Sequence, residues 1–203
     1  MRALFKHILL FLLVHVCIRS FSQVTNEIKE TKAYDYPTTL RGGYKIVFKT
    51  DITNHLYLQK QNKIIASVAD EDTSLLYKSL GYIRADFERY FVLAHSFGAG
   101  NPTEIELLKK ATGKNILKKE AYFIDAIETK EILLYCDVNV PTAKQKLALY
   151  NLRTMEVKLF KFPEDIFDEP QILNRIKIAS LTDRSFTIKY WANGRDKTKT
   201  YYR

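Results

Sequence analysis

The sequence has 203 residues, of which 46% are hydrophobic, and it carries 32 basic against 23 acidic side chains. This balance favours solubility and contact with anionic partners, but it lacks the concentrated basic patch that is typical of nucleic-acid-binding proteins. A chain of this length can bury one hydrophobic core of ordinary size.

The first 22 residues predict a secretory signal peptide, so we expect export to the periplasm or secretion. Arg2 and Lys6 precede an apolar run from Ile8 to Ile18, and cleavage is expected after Ser22. The run is shorter than the roughly 20 residues of a membrane-spanning helix. Cleavage removes three basic residues and no acid, which leaves a net charge of about +6.

Cleavage would also remove Cys17 and leave Cys136 as the single cysteine, which excludes an internal disulfide. The stretch ILLYCDV around Cys136 predicts a buried strand residue rather than a reactive thiol. Residues 23–41 are polar and predict a flexible lead-in. Residues 42–203 are expected to form a single β-rich domain.

Short runs rich in Tyr, Phe, Ile, Val and Leu recur from residue 44 to the end of the chain. Their length, their alternation and the short turn-forming gaps between them are typical of β-strands. Asn193 and Gly194 form the clearest hairpin signal. The sequence therefore predicts an all-β protein, a single antiparallel β-meander domain with an open or partly rolled sheet and at most one or two short helices.

A weak internal repeat has a spacing of 42 residues. It aligns Ile105 with Leu147 and Thr112 with Thr154, and it resembles the four-stranded units of propeller-like β-meander repeats. A mature chain of this size has room for about four such units, which is near the lower limit for a closed propeller. We therefore expect an open or partly rolled sheet.

Segment 101–113, NPTEIELLKKATG, admits two interpretations. As a helix it would have Asn101 as its N-cap, Pro102 at its first position and Gly113 as its stop. As a strand pair it would match the alternating second copy of the repeat, with Gly113 in the hairpin turn. The second copy favours the strand pair.

The sequence nominates no catalytic group, no cofactor and no metal site. The stretch HSFGAGN lacks the glycine spacing of a nucleophile turn or a phosphate-binding loop, and His95 and Ser96 would point to opposite faces of a strand. His55 and His95 lie 40 residues apart, and no side chains stand at metal-ligand spacing. Distant carboxylates could still converge in the fold as a hydrolase site.

Two groups of side chains are candidates for surface contacts. Five lysines could meet an anionic surface or form the solvated face of a turn, namely Lys109, Lys110, Lys114, Lys118 and Lys119. Trp191, Tyr201 and Tyr202 could form a sugar-binding platform, but we expect these aromatic side chains to pair across the last hairpin.

The stretch YFVLAHSFGAGN resembles the strand and glycine-rich loop of the periplasmic inhibitors of invertebrate-type lysozyme. In that family the loop plugs the lysozyme cleft. The resemblance implies a binding loop at Ser96, Gly98, Gly100 and Asn101. Ala99 stands where the family has a serine, and no tyrosine follows Gly100.

These patterns favour a non-enzymatic exported module that binds a protein or an envelope polysaccharide. Three alternatives are a lysozyme inhibitor that acts through residues 96–101, a hydrolase with converging carboxylates, and a structural envelope protein. We expect no nucleic-acid partner, and no transmembrane span in the mature chain.

Overall fold

A computed structural model describes residues 38–50, 52–72, 80–95, 102–137, 146–166 and 172–203. Fourteen β-strands run through these ranges, and the helical segments among them are 3-10 turns of three or four residues. The strands are β1 (Thr39–Leu40), β2 (Tyr44–Thr50), β3 (Thr53–Lys60), β4 (Lys63–Asp72), β5 (Tyr82–Asp86), β6 (Tyr90–His95), β7 (Glu104–Lys109), β8 (Ala121–Ile127), β9 (Ile132–Asp137), β10 (Lys146–Asn151), β11 (Glu156–Lys161), β12 (Lys177–Leu181), β13 (Ser185–Ala192) and β14 (Arg195–Tyr202). The predicted all-β class is confirmed.

The strands form three open antiparallel sheets in which neighbours in the chain are also neighbours in the sheet. The first sheet contains β1 to β4, the second β5 to β11 and the third β12 to β14. Antiparallel neighbours need only short turns between them. The turn between β13 and β14 has positive φ at Asn193 and at Gly194, as the hairpin signal predicts.

Segment 104–109 is a strand, β7, which confirms the strand interpretation of this region. The turn after it closes when the Gly113 N–H donates to the Lys109 carbonyl, 2.7 Å away, and the Lys109 N–H donates to the carbonyl of Lys114 at 2.9 Å. Gly113 has a φ of +68°, and a Cβ at this position would collide with the side chain of Ala66 in β4. The glycine that could have stopped a helix therefore serves a tight hairpin packed against the first sheet.

The 42-residue repeat is present in the fold. β6 and β7 recur at this offset as β9 and β10. The bridge between Leu108 and Asn115 recurs as the pair of Tyr150 with Val157. Two copies of one structural unit thus follow each other in the seven-stranded sheet. The propeller-like resemblance itself stays a prediction.

The two copies face each other instead of lying in one plane. Two residue pairs join β7 to β8. One core cluster contains Val92 from β6 and Leu133 from β9. Cross-strand pairs place the members of this cluster on one face of the central sheet, as with Ile105 opposite Ala121 and Tyr150 opposite Leu133. Among the described residues, the cluster contains only side chains of the central sheet and its connecting segments. This buried face therefore packs against itself, and the sheet folds over.

Two further core clusters attach the outer sheets to this folded central sheet. One packs the first sheet against β6 and β7, and the other packs β13 against β9 and β10. Four sheet-like units therefore stack in chain order with three apolar layers between them. Leu40 of β1 is 2% exposed, so the end of the predicted flexible lead-in, residues 38–41, is part of the folded domain.

Candidate functional site

A pocket of about 460 Å³ lies between the start of β7 and the chain segment that precedes β8. Its walls carry carboxylates, lysines, a histidine and a few apolar side chains. The lining residues are His95, Glu104, Ile105, Glu106, Asn115, Leu117, Lys118, Lys119, Glu120 and Ala121.

The pocket occupies a position that the second copy of the repeat closes with paired strands. There, residues 146–151 pair with residues 156–161 along their whole length. The equivalent segments of the first copy are 104–109 and 114–119, where the bridge of Leu108 with Asn115 stands alone. A gap therefore opens between the start of β7 and residues 117–120.

Asn115 explains why the first copy separates at this point. Its side-chain oxygen accepts hydrogen bonds from the backbone N–H of Leu107 at 3.2 Å and of Leu117 at 3.0 Å. The second copy has Val157 at the equivalent position, which has no side-chain hydrogen-bonding group. An Asn side chain can take the place of a strand partner and redirect the chain, so residues after 115 leave β7.

His95 and Glu106 form a polar pair on the wall made by β6 and β7. The imidazole Nε2 lies 3.1 Å from the Glu106 Oε1. Gly81, with a φ of +106°, packs against the ring, because a Cβ there would lie 3.0 Å from Cε1 of His95 and 2.9 Å from Cγ of Leu93. A larger residue at position 81 would therefore displace the imidazole.

Three acidic side chains line the pocket. Glu104 and Glu106 share a face because alternate residues of a strand point the same way, and Glu120 lines the pocket from the other side. Glu104 also lies opposite Tyr122 in β8. The pKa of Tyr122 is raised, first by burial and next by the negative charge of Glu104. The wall can accept hydrogen bonds from hydroxyl, amide or ammonium groups.

The five lysines predicted as one surface group do not lie together. Lys118 and Lys119 line the pocket, and Lys119 also forms an ion pair with Asp137 at 3.2 Å. Lys109 and Lys114 are exposed at the turn beyond the far end of β7. Only Lys118 and Lys119 therefore remain candidates for contact with a ligand in the pocket.

Lys110 requires a correction, because it is 1% exposed and cannot belong to a surface patch. Its ammonium group forms an ion pair with Asp86 at 2.6 Å. It also donates hydrogen bonds to the carbonyls of Phe87 at 2.5 Å and Arg41 at 3.1 Å. Lys110 therefore ties the first sheet to the central one.

The predicted binding loop lies outside the described ranges, with all four of its residues: Ser96, Gly98, Gly100 and Asn101. The described residues on either side place its ends. His95 is the last residue of β6 and pairs with Glu104 at the start of β7, and both of these residues line the pocket. The two strand ends that flank the predicted loop in the chain therefore line the pocket.

A second histidine, His55, lies in a polar cluster on the first sheet, away from the pocket. His55 contacts Asp70 at 2.5 Å, and the hydroxyl of Ser67 donates to the same carboxylate oxygen rather than to the imidazole. The hydrogen bond with His55 is the main cause of the lowered pKa of Asp70. Within the ranges described, no three His, Cys, Asp or Glu side chains come together as a metal site would need.

Cys136 is buried in β9, as predicted. Burial raises the pKa of its thiol to about 12, so the thiolate form is negligible at neutral pH.

The described part of the chain contains no helix of the length and apolar character needed to span a membrane.

Sequence reasoning missed the acidic wall, although a signal for it exists. The stretch TEIEL places Glu104 and Glu106 on one face once it is taken as a strand, but the contribution of Glu120 depends on the departure of the chain at Asn115.

Compared with known proteins, the chain matches no family model and no curated protein.

Proposed function

We propose that the protein is a non-enzymatic exported module that binds another protein at the pocket between β7 and residues 117–120. The observation that carries this proposal is the local departure from the repeat. The second copy pairs its strands at this position, whereas the first copy has a polar pocket of about 460 Å³. Strand pairing would add stability, and features that depart from local regularity tend to be functional.

Two of the lysines that the sequence marks as candidates, Lys118 and Lys119, line this pocket. His95, which precedes the predicted loop 96–101 in the chain, lines it as well. Carboxylates and lysines together offer both signs of charge, which suits the complementary ion pairs of a protein interface. A nucleic acid would instead require a basic surface without the carboxylates.

Affinity capture with matched variants tests the proposal. A chain beginning at residue 23 is immobilised and incubated with envelope and extracellular proteins of the source organism. We expect one protein to be retained by the unaltered chain and lost from Lys118→Glu/Lys119→Glu. The control is Lys109→Glu/Lys114→Glu, which makes the same charge change at the far end of β7. Equal retention by both double variants would exclude the pocket as the contact site.

A hydrolase is a second candidate, because Glu104, Glu106 and Glu120 line one pocket. Two carboxylates that flank a scissile bond are the usual requirement for glycoside cleavage. The assay is the release of reducing ends from peptidoglycan and chitin, with Glu104→Gln and Glu106→Gln as variants. An unaltered chain without activity on these polymers would remove this candidate.

Lysozyme inhibition is a narrower form of the binding proposal. It assigns the contact to residues 96–101, which follow His95 in the chain. Adding the protein in excess to lysozymes of several types should then lower the rate of cell-wall lysis. Unchanged rates with every type would contradict it while leaving binding of other proteins to be judged by the capture experiment.

A further inference from the structure

One face of the third sheet packs against the central sheet, and the opposite face, which we call the outer face, is a surface separate from the pocket. In β13 the side chains of Phe186, Ile188 and Tyr190 are buried in the core. Since successive strand residues point to opposite faces, Thr187 and Lys189 belong to the outer face. So does Trp191, which is partly exposed.

The aromatic residues of the last hairpin do not pair as a group, contrary to the expectation from sequence. Tyr201 lies opposite Phe186 and stacks on it in the core, with ring centroids 4.9 Å apart. Trp191, however, lies opposite Asp196, and Tyr202 lies opposite Ser185. Tyr202 is 81% exposed. Trp191 and Tyr202 are therefore two separate rings on the outer face.

The register sets the distance between these two rings. Trp191 and the partner of Tyr202, Ser185, are six residues apart along β13, which at about 3.3 Å per residue corresponds to roughly 20 Å. This separation is the length of a short oligosaccharide. Rings at both ends of this face can each stack on the apolar side of a sugar.

Polar groups with balanced charge occupy the surface between the rings. The hydroxyls of Thr187 and Thr200 are hydrogen-bonded to each other at 2.9 Å. Lys189 forms an ion pair with Asp196 at 2.6 Å. Lys177 of β12 lies opposite Lys189 and forms an ion pair with Asp125 at 3.5 Å. Both lysines thus have an acidic partner, and the face supplies donors and acceptors for sugar hydroxyls, which disfavours a nucleic acid or another polyanion.

We propose that the outer face of β12 to β14 binds a neutral polysaccharide of β-1,4-linked pyranose units, with Trp191 and Tyr202 as stacking platforms. Such a chain is a flat ribbon with apolar ring faces and hydroxyls along its edges, so it matches two aromatic rings separated by polar side chains. Aromatic side chains that present an apolar body and a polar tip are suited to such half-wet contacts. The proposal is independent of the pocket, which lies on other strands.

Trp191 is the single tryptophan of the chain, so its fluorescence reports on this face alone. Cellohexaose and chitohexaose serve as probes, and calorimetry measures the overall binding of each. We expect one of them to bind and to shift the tryptophan emission to shorter wavelength, because a stacked sugar excludes water from the indole. Binding measured by calorimetry without any change of emission would place the ligand elsewhere and overturn the proposal.

Variants test the second ring without endangering the core. Tyr202→Ala should weaken binding about tenfold, and Tyr202→Phe, which keeps the ring, should retain it. Lys114→Ala, at an exposed turn outside both surfaces, should leave the affinity unchanged. Sugar binding is measured here and protein capture in the pocket experiment, so failure of this proposal is distinguishable from failure of the pocket proposal. The proposal is overturned if neither hexasaccharide binds at millimolar concentration, or if Tyr202→Ala binds as well as the unaltered chain.

Discussion

Replacing Lys110 by methionine removes one buried charge and keeps most of the side-chain volume. The ammonium group has three partners, the carboxylate of Asp86 and the carbonyls of Phe87 and Arg41. After the change, Asp86 keeps the hydrogen bond from the backbone N–H of Arg41 at 2.7 Å and the half-exposed Arg41 guanidinium 4.0 Å away, but it loses its buried cation. The loss of stability in Lys110→Met therefore reports on the buried charge and not on a change in packing volume.

The expected cost follows from the burial of both partners. Breaking a fully buried ion pair costs about 3 to 5 kcal/mol. The Asp86 side chain is 17% exposed and retains the Arg41 N–H, so we expect the lower end, about 3 kcal/mol. For a domain of this size that corresponds to a fall in Tm of roughly 6 to 12 °C. Urea unfolding and differential scanning calorimetry measure the two quantities.

Two comparisons make this prediction specific. Lys109→Met and Lys114→Met change the same residue type at exposed positions of the same turn, and each should alter stability by no more than about 0.5 kcal/mol. Adding Asp86→Asn to Lys110→Met should cost less than the sum of the single changes, because the carboxylate no longer needs a cation. A loss below about 1 kcal/mol for Lys110→Met would refute the reasoning.

Three further predictions concern turns, pH and the thiol. Gly194→Ala should lower the free energy of unfolding by about 1 kcal/mol from the positive φ alone, since nothing lies within 4 Å of the added Cβ. Gly113→Ala should lower it by about 3 kcal/mol or more, because the added Cβ also collides with Ala66. Urea unfolding measures both values. The pKa of Asp165 is lowered mainly by the hydrogen bond from Lys197. The pair therefore stabilises the fold above pH 3.8, the ordinary pKa of the carboxyl, and this stabilisation is lost as the pH falls below that value. In the variant Asp165→Asn, a plot of Tm against pH should be flatter in this acidic range. In a chain that lacks residues 1–22, Cys136 should react with a thiol reagent at pH 8 only after unfolding; reaction of the folded protein on the same timescale would contradict its burial.

The fold class was predictable because strand signals in this chain are local. Alternation within each run and short polar gaps specify both the strands and their antiparallel order. Segment 101–113 shows where local signals fail, since its N-cap and stop residues suit a helix as well as a hairpin. The second copy of the repeat decided the matter correctly, because equivalent strands at a fixed offset must fold alike to stack.

The buried position of Lys110 shows how far that argument could have been extended. Lys110 and Lys109 are adjacent residues of the same type, and a run of basic residues ordinarily predicts a solvated face. At the 42-residue offset its equivalent is Leu152, which is fully buried. The backbone N–H of each residue donates to the equivalent carbonyl, that of Arg89 in one copy and Glu131 in the other. The repeat thus carries the information that composition lacks.

The candidate pocket could not be predicted from the repeat because it arises from the failure of the repeat. Asn115 stands where the second copy has Val157, and one side-chain oxygen that accepts two backbone N–H groups is enough to separate the strands that follow. Comparing the two copies in the sequence reveals the difference at this position. It does not show that the strands separate there, since Asn is also tolerated within turns. In a stack of equivalent units, the difference between the copies therefore points to the candidate site, whereas their similarity describes the scaffold.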